Sequence, residues 1–237
     1  MLITAVGNDG DDNLGLLYPA LETLAGHVAV ERIDRSAPAG TWSPSDRTDL
    51  VVLLGSDWSV HRRTGGRSVH AESRLALRMI ARGVPVLGVC YGAQLLAHAL
   101  RGASEPSPIP EFGWVEVHSG EPALAGRWFQ WHQDRAIPPI GATVSAATSG
   151  NIQAWQYRSG FAIQFHPEVT DDILQRWCAT GADELKSQGI DPDSFFTARP
   201  ADHDVGRVAT LLQHVLSTTE RNSHVPREPH RARHRTG

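Results

Sequence analysis

Val84-Pro85-Val86-Leu87-Gly88-Val89-Cys90-Tyr91-Gly92 sets a cysteine between two glycines where an apolar run gives way to a helical pattern. The run from Val84 to Val89 has the texture of a parallel strand covered on both faces. Ala93 to Leu100 follows with helix formers, and Leu95, Leu96, Ala99 and Leu100 make one apolar stripe. A strand turning sharply into a helix pushes the residue at the turn out of the sheet, which requires neighbours with little or no side chain. The same turn aims helix N-terminal N–H groups at Cys90 and favours its thiolate. Two readings remain open at this point: a small buried hydrophobe, the commonest state of a free cysteine, or a nucleophile.

Working outward, the chain alternates strands and helices on the N-terminal side. Leu2 to Val6 reads as a strand, Leu14 to Leu24 as a helix, His27 to Ile33 as a strand and Ser36 to Arg47 as a loop. Asp49 to Gly55 is a buried strand running into Ser56-Asp57-Trp58-Ser59-Val60. The basic segment His61 to Arg67 reads as a solvated loop, and Ser68 to Arg82 as a helix. This order predicts an α/β fold: an open, mostly parallel sheet flanked by helices. After Gly102, Ala103 to Glu111 is a proline-rich loop. Short strands at Trp114 to His118, Trp128 to Trp131, Thr143 to Ala147, Ile152 to Tyr157 and Phe161 to Phe165 predict a smaller antiparallel extension. Asp171 to Thr180 and Val205 to Leu216 read as helices. Residues 1–220 form the expected domain, helical from about 181, and 221–237 form a disordered basic and His-rich tail.

Bulk properties exclude several function classes. A net charge of −4 gives no general attraction to nucleic acid or anionic membrane. Two cysteines, Cys90 and Cys178, do not make a disulfide framework, and a reducing, cytoplasmic setting is expected. No stretch is apolar enough to span a bilayer, and no targeting segment is recognisable.

The second decisive stretch is Phe161-Ala162-Ile163-Gln164-Phe165-His166-Pro167-Glu168. A thiol nucleophile needs a base nearby and an acid that holds the base in the right tautomer. His166 and Glu168, two residues apart in extended chain, leave on one face.

Together the two stretches resemble the class I, triad-type glutamine amidotransferases. Gly88 to Gly92 with Gln94 is similar to the family's elbow, and Gln164 to Glu168 to its base segment. Gly55 to Val60, Glu111 to Trp114 and Trp131 to Asp134 agree in the same order, and the elbow wording is closest to the amidotransferase domain of GMP synthetases. The resemblance implies a flavodoxin-like arrangement and an enzyme that hydrolyses the side-chain amide of L-glutamine. Cys90 would be the nucleophile, His166 the base and Glu168 the orienting acid. Backbone amides of Ser56 and Tyr91 would form the oxyanion hole, and Gly55, Gln94 and His132 would contact substrate. No metal and no cofactor is expected.

The family's oxyanion loop usually reads Gly-Gly-Pro, and Gly55-Ser56-Asp57 departs from it. A residue with a Cβ adopts positive φ less readily than glycine, so a hole that is incomplete at rest or formed with a partner is the expectation. His98 reads as a surface histidine and Cys178 as packing. His132 and Asp134 read as walls of the site on a lining loop. No phosphate-binding loop is visible, and the ammonia acceptor is expected on a separate, synthetase-type chain. Two alternatives stand beside this reading: a hydrolase or transferase for another γ-glutamyl amide or peptide, and a non-catalytic regulatory module of the same fold.

Overall fold

The structure, a computed structural model, describes residues 1–38, 42, 44–62 and 66–223. Of the expected tail 221–237, residues 221–223 are helical and 224–237 lie outside the described residues, as do 39–41 and 43 of the expected loop and 63–65 of the basic segment.

Among the described residues nine strands form one mixed sheet. They are β1 (Leu2–Gly7), β2 (Ala29–Asp34), β3 (Leu50–Leu53), β4 (Val86–Val89), β5 (Ala103–Ser119), β6 (Gly126–Ile137), β7 (Thr143–Ala147), β8 (Ile152–Tyr157) and β9 (Gly160–Ile163), in the order β2-β1-β3-β4-β9-β8-β7-β5-β6. The helices are α1 (Leu17–Ala25), α2 (Gly66–Ala81), α3 (Tyr91–Ala99), α4 (Asp171–Thr180), α5 (Ala182–Ser187), α6 (Asp193–Thr197) and α7 (Val205–Ser223). Strands β2, β1, β3, β4 and β9 are parallel, and every other pairing is antiparallel.

The unbroken apolar texture of β3 follows from cover on both faces. Leu50 and Val52 enter a core with Leu17 and Leu21 of α1 and Leu211 and Leu212 of α7. Val51 and Leu53 enter the opposite core with Leu75 and Met79 of α2 and Leu95 and Leu96 of α3. A third cluster joins Trp114 and Phe129 of the β5–β6 hairpin to Ile173, Leu174, Leu185 and Phe195 of the C-terminal helices. Among the described residues no helix is long and apolar enough to cross a membrane.

Three expectations need correction. Ala103 to Glu111 is not a loop but the first half of β5, a strand carrying Pro106, Pro108 and Pro110. Prolines fit there because β5 meets β7 only at His118 and Ser119. The proline stretch therefore has β6 alone beside it, and its register breaks between Pro106 and Glu111. Trp131 to Asp134 is likewise part of a strand, β6, that lines the site. Phe161 to Phe165 is expected in the antiparallel extension, yet β9 pairs parallel with β4 on one side and antiparallel with β8 on the other. It joins the two halves of the sheet, and this seam places the site.

Candidate active site

The elbow begins with the two glycines around Cys90. A Cβ on Gly92 would lie 2.0 Å from the Leu53 carbonyl oxygen, and one on Gly88 2.5 Å from that of Gly92. Only glycine lets α3 start this close to β3. Cys90 itself has φ 50° and ψ −106°, a backbone that non-glycine residues avoid unless their surroundings enforce it. The enforcement is visible: the Cys90 N–H donates to the Ile163 carbonyl of β9 at 2.8 Å, and its carbonyl accepts from Ala93 and Gln94 at 2.9 and 3.1 Å.

Since β4 and β9 are in register with Val89 beside Ile163, the chain beyond β9 passes directly by the cysteine. The Gln164 side chain donates to Cys90 Sγ at 3.7 Å. The His166 N–H donates to the Phe129 carbonyl at 2.8 Å, which fastens the histidine to β6. His166 Nδ1–H donates to Glu168 Oε1 at 2.7 Å, and both side chains are buried. Burial opposes an imidazolium here, but the charges of Glu168 and Cys90, with the hydrogen bond to Glu168, outweigh it and hold His166 well above its ordinary pKa. Trp177 of α4 covers the imidazole edge-on at 4.8 Å and donates from Nε1 to Asp11 at 2.8 Å.

Opposite the elbow lies the loop after β3. A Cβ at Gly55 would stand 3.0 Å from His166 Cε1 and 3.8 Å from Cys90 Cβ, so loop, histidine and cysteine converge. Ser56 does not have positive φ, so the serine in place of the family's second glycine strains nothing. Its hydroxyl donates to Asn8 Oδ1 at 2.7 Å. Among the described residues neither the Ser56 N–H nor the Tyr91 N–H has an acceptor.

Cys90, His166, Gly55, Ser56, Gln94 and His132 line one cavity of about 720 Å³. Glu168 stands behind His166, and the Tyr91 side chain packs in the core behind the elbow. The Gln94 amide donates to the Asp134 carbonyl at 3.1 Å. Both His132 nitrogens are engaged, Nδ1 3.1 Å from the Asp134 carbonyl and Nε2 3.0 Å from Glu111, which leaves the ring as a wall. His98 is exposed, and Cys178 packs at the edge of the third cluster.

Two residues with evident consequences, Trp177 and Arg35, are not marked in the sequence. Trp177 roofs the histidine. Asp134, expected as a wall of the site, lines the cavity, hydrogen-bonded to Ser59 and with Oδ1 buried and unpartnered among the described residues. Arg35, fully buried behind the Gly55 loop, pairs with Glu72 of α2 at 2.6 Å. Glu72 offered a signal, since a carboxylate on the apolar stripe Val69, Leu75, Ala76 and Met79 requires a cationic partner.

Fold and site define an α/β protein in which a strained cysteine elbow faces a buried histidine–carboxylate pair. Residues 10–174 match the family described as "Glutamine amidotransferase class-I", and the chain belongs to that family. It is 37% identical over 142 residues to a GMP synthase [glutamine-hydrolyzing] of Aeropyrum pernix, a match covering 54% of this chain and 26% of that protein. The chain thus spans about a quarter of that curated relative. Among solved structures, a glutamine amidotransferase from Thermotoga maritima is 25% identical with a TM-score of 0.79, covering 91% of this chain and 98% of that one. A glutamine amidotransferase from Methylobacillus flagellatus is 25% identical with a TM-score of 0.68, covering 99% and 98%.

Proposed function

We propose that this chain hydrolyses the side-chain amide of L-glutamine through a Cys90–His166–Glu168 triad and delivers the ammonia to a synthetase-type partner on a separate chain. Residues 1–220 act as one amidotransferase domain, with the segment from about 181 as its helical extension. The carrying observation is the convergence of Cys90 on its strained elbow, the buried His166–Glu168 pair and the Gly55 loop around one cavity. The relatives named for glutamine hydrolysis and GMP synthesis support the substrate and the kind of partner.

In this mechanism Cys90 Sγ bonds to the γ-carboxamide carbon while the C=O π pair moves onto oxygen. The oxyanion takes hydrogen bonds from the Ser56 and Tyr91 N–H groups. His166, held as imidazolium by Glu168, gives its proton to the amide nitrogen; the C–N bond breaks and ammonia leaves. Water then attacks the γ-glutamyl thioester as His166 takes its proton, the C–S bond breaks and glutamate departs. Gly55, Gln94 and the wall formed by His132 shape the pocket for the substrate, and the unpartnered Asp134 oxygen suits its α-ammonium group.

One observation favours a second reading. A cavity of about 720 Å³ lies in the range of sites for drug-sized ligands and leaves room for a substituent on the γ-nitrogen. Ammonia release from glutamine, compared with amine release from γ-glutamyl amines and peptides, separates the two. Equal or higher kcat/KM for glutamine is expected, with a loss on the order of a thousandfold or more in Cys90→Ala. A strong preference for a substituted amide would reject glutamine as the substrate, and an unchanged Cys90→Ala would reject the triad.

A further inference from the structure

The Arg35 guanidinium follows β2 into the interior and has no exposed surface. A buried guanidinium is tolerated only where its donors are placed, so the destinations of those donors are informative. Nε donates to Glu72 Oε1 at 2.6 Å. The remaining bonds do not serve the ion pair. One terminal nitrogen donates to the Gly55 carbonyl at 2.9 Å and to Asn8 Oδ1 at 2.7 Å, and the other to the Leu54 carbonyl at 2.9 Å. The flat face lies 4.4 Å from the centre of the Tyr91 ring.

The Gly55 carbonyl and the Ser56 N–H belong to one peptide group. That group is trans, and in a planar trans peptide the carbonyl and the N–H point in opposite directions. Arg35 draws the carbonyl into the core, so the Ser56 N–H is turned away from the guanidinium. Asn8 extends the clamp by accepting from both Arg35 and the Ser56 hydroxyl. A flipped peptide would leave a buried cationic N–H without its acceptor, a costly arrangement. Tyr91, which carries the second N–H without an acceptor, is held against the same guanidinium.

We infer that Arg35, anchored by Glu72, is the positioning residue of the oxyanion hole: it holds the Gly55–Ser56 peptide in its donating orientation and seats Tyr91 beside it. The inference rests on the proposed reading of the Ser56 and Tyr91 amides as the hole. It explains how a Gly-Ser-Asp loop does without the family's second glycine. The hole is preformed in the resting chain, and its rigidity comes from a buried cation rather than from local backbone freedom.

The test uses the double variant Arg35→Met/Glu72→Met, which removes both charges together because a lone survivor would be an uncompensated buried ion. Arg35→Lys is the second variant, keeping a cation beside Glu72 without the fork that reaches the carbonyls. Three quantities are read on the full chain: glutamine kcat and KM, the inhibition constant of glutamate γ-semialdehyde, and the rate of Cys90 alkylation by iodoacetamide. Cys90 adds to the semialdehyde carbonyl and puts its oxygen in the hole. Alkylation displaces iodide at a saturated carbon and develops no oxyanion.

The expected result in both variants is a kcat lower by about a hundredfold. The semialdehyde constant should weaken by a similar factor, with KM and alkylation within about threefold of the parent. Parent-like kcat and semialdehyde binding in either variant would overturn the inference alone. So would parallel losses in kcat, KM and alkylation, which mark a merely structural pair. A parent chain that alkylates at Cys90 yet neither releases ammonia nor binds the semialdehyde would overturn the site reading, and the inference with it.

Discussion

His166 carries a conflict that fixes its chemistry. Burial disfavours its charged form, yet Glu168 and Cys90 hold it well above its ordinary pKa, so the positive charge depends on its two neighbours. Glu168→Gln removes one of them while keeping the hydrogen-bonding shape. The His166 pKa then falls, and the imidazolium proposed to protonate the leaving nitrogen is lost at a lower pH than in the parent. The alkaline limb of kcat/KM for glutamine should move downward in pH, with maximal kcat lower by on the order of 10²–10⁴. Coincident pH profiles for parent and variant would remove Glu168 from the triad. The proposed nucleophile, base and acid stand out in the sequence because each sits in a short motif whose residue types the chemistry demands. Arg35 does not, because nothing beside Asp34-Arg35-Ser36 distinguishes a buried arginine from a surface one. Only its partner was marked, by Glu72 falling on the apolar stripe of α2.

At the level of elements, the elbow depends on how closely α3 approaches β3. All of Tyr91 to Ala97 is buried, and the start of the helix has no room for one extra methyl at Gly92, where Leu53 O would lie 2.0 Å away. Gly92→Ala should therefore push α3 off the sheet and lower stability by about 3 kcal/mol, the upper range for overpacking. The urea midpoint should fall with the slope of the transition unchanged. A midpoint within error of the parent would mean that the elbow is not packed this tightly. The strands and helices around the elbow were readable because a doubly covered strand leaves a run such as Leu50 to Leu53, and a one-sided helix leaves a stripe such as that of α2. The first half of β5 was unreadable for the opposite reason. Three prolines in nine residues read as a loop, and only the tertiary fact of a single hydrogen-bonding neighbour makes them compatible with a strand. The short α5 and α6, of six and five residues, left no periodicity to detect.

Across the whole molecule, the C-terminal segment is joined to the site-bearing sheet through His203. Its Nε2–H donates to the Val169 carbonyl at 3.1 Å, one residue beyond Glu168, and its ring packs edge-on against Trp114 at 4.7 Å. Burial above all lowers its pKa to about 4, opposed first by the Val169 hydrogen bond, assisted by the cations of Arg199 and Arg207, and opposed weakly by Glu168. The fold therefore holds this histidine neutral while the unfolded chain binds a proton near pH 6.5. Between those values the unfolded state takes up more protons, so this contribution to stability is complete above pH 6.5 and is lost as pH falls toward 4. His203→Gln keeps a donor for Val169 and abolishes the titration. Measured by urea denaturation, the parent should lose about 2 kcal/mol more than the variant between pH 7.5 and pH 5. Titration of His166 has the opposite sign, since its raised pKa favours the folded state at low pH, but it is common to both proteins and cancels in the difference. Equal losses in the two would mean that His203 is solvated in the folded state, and that the C-terminal segment is not closed over Val169.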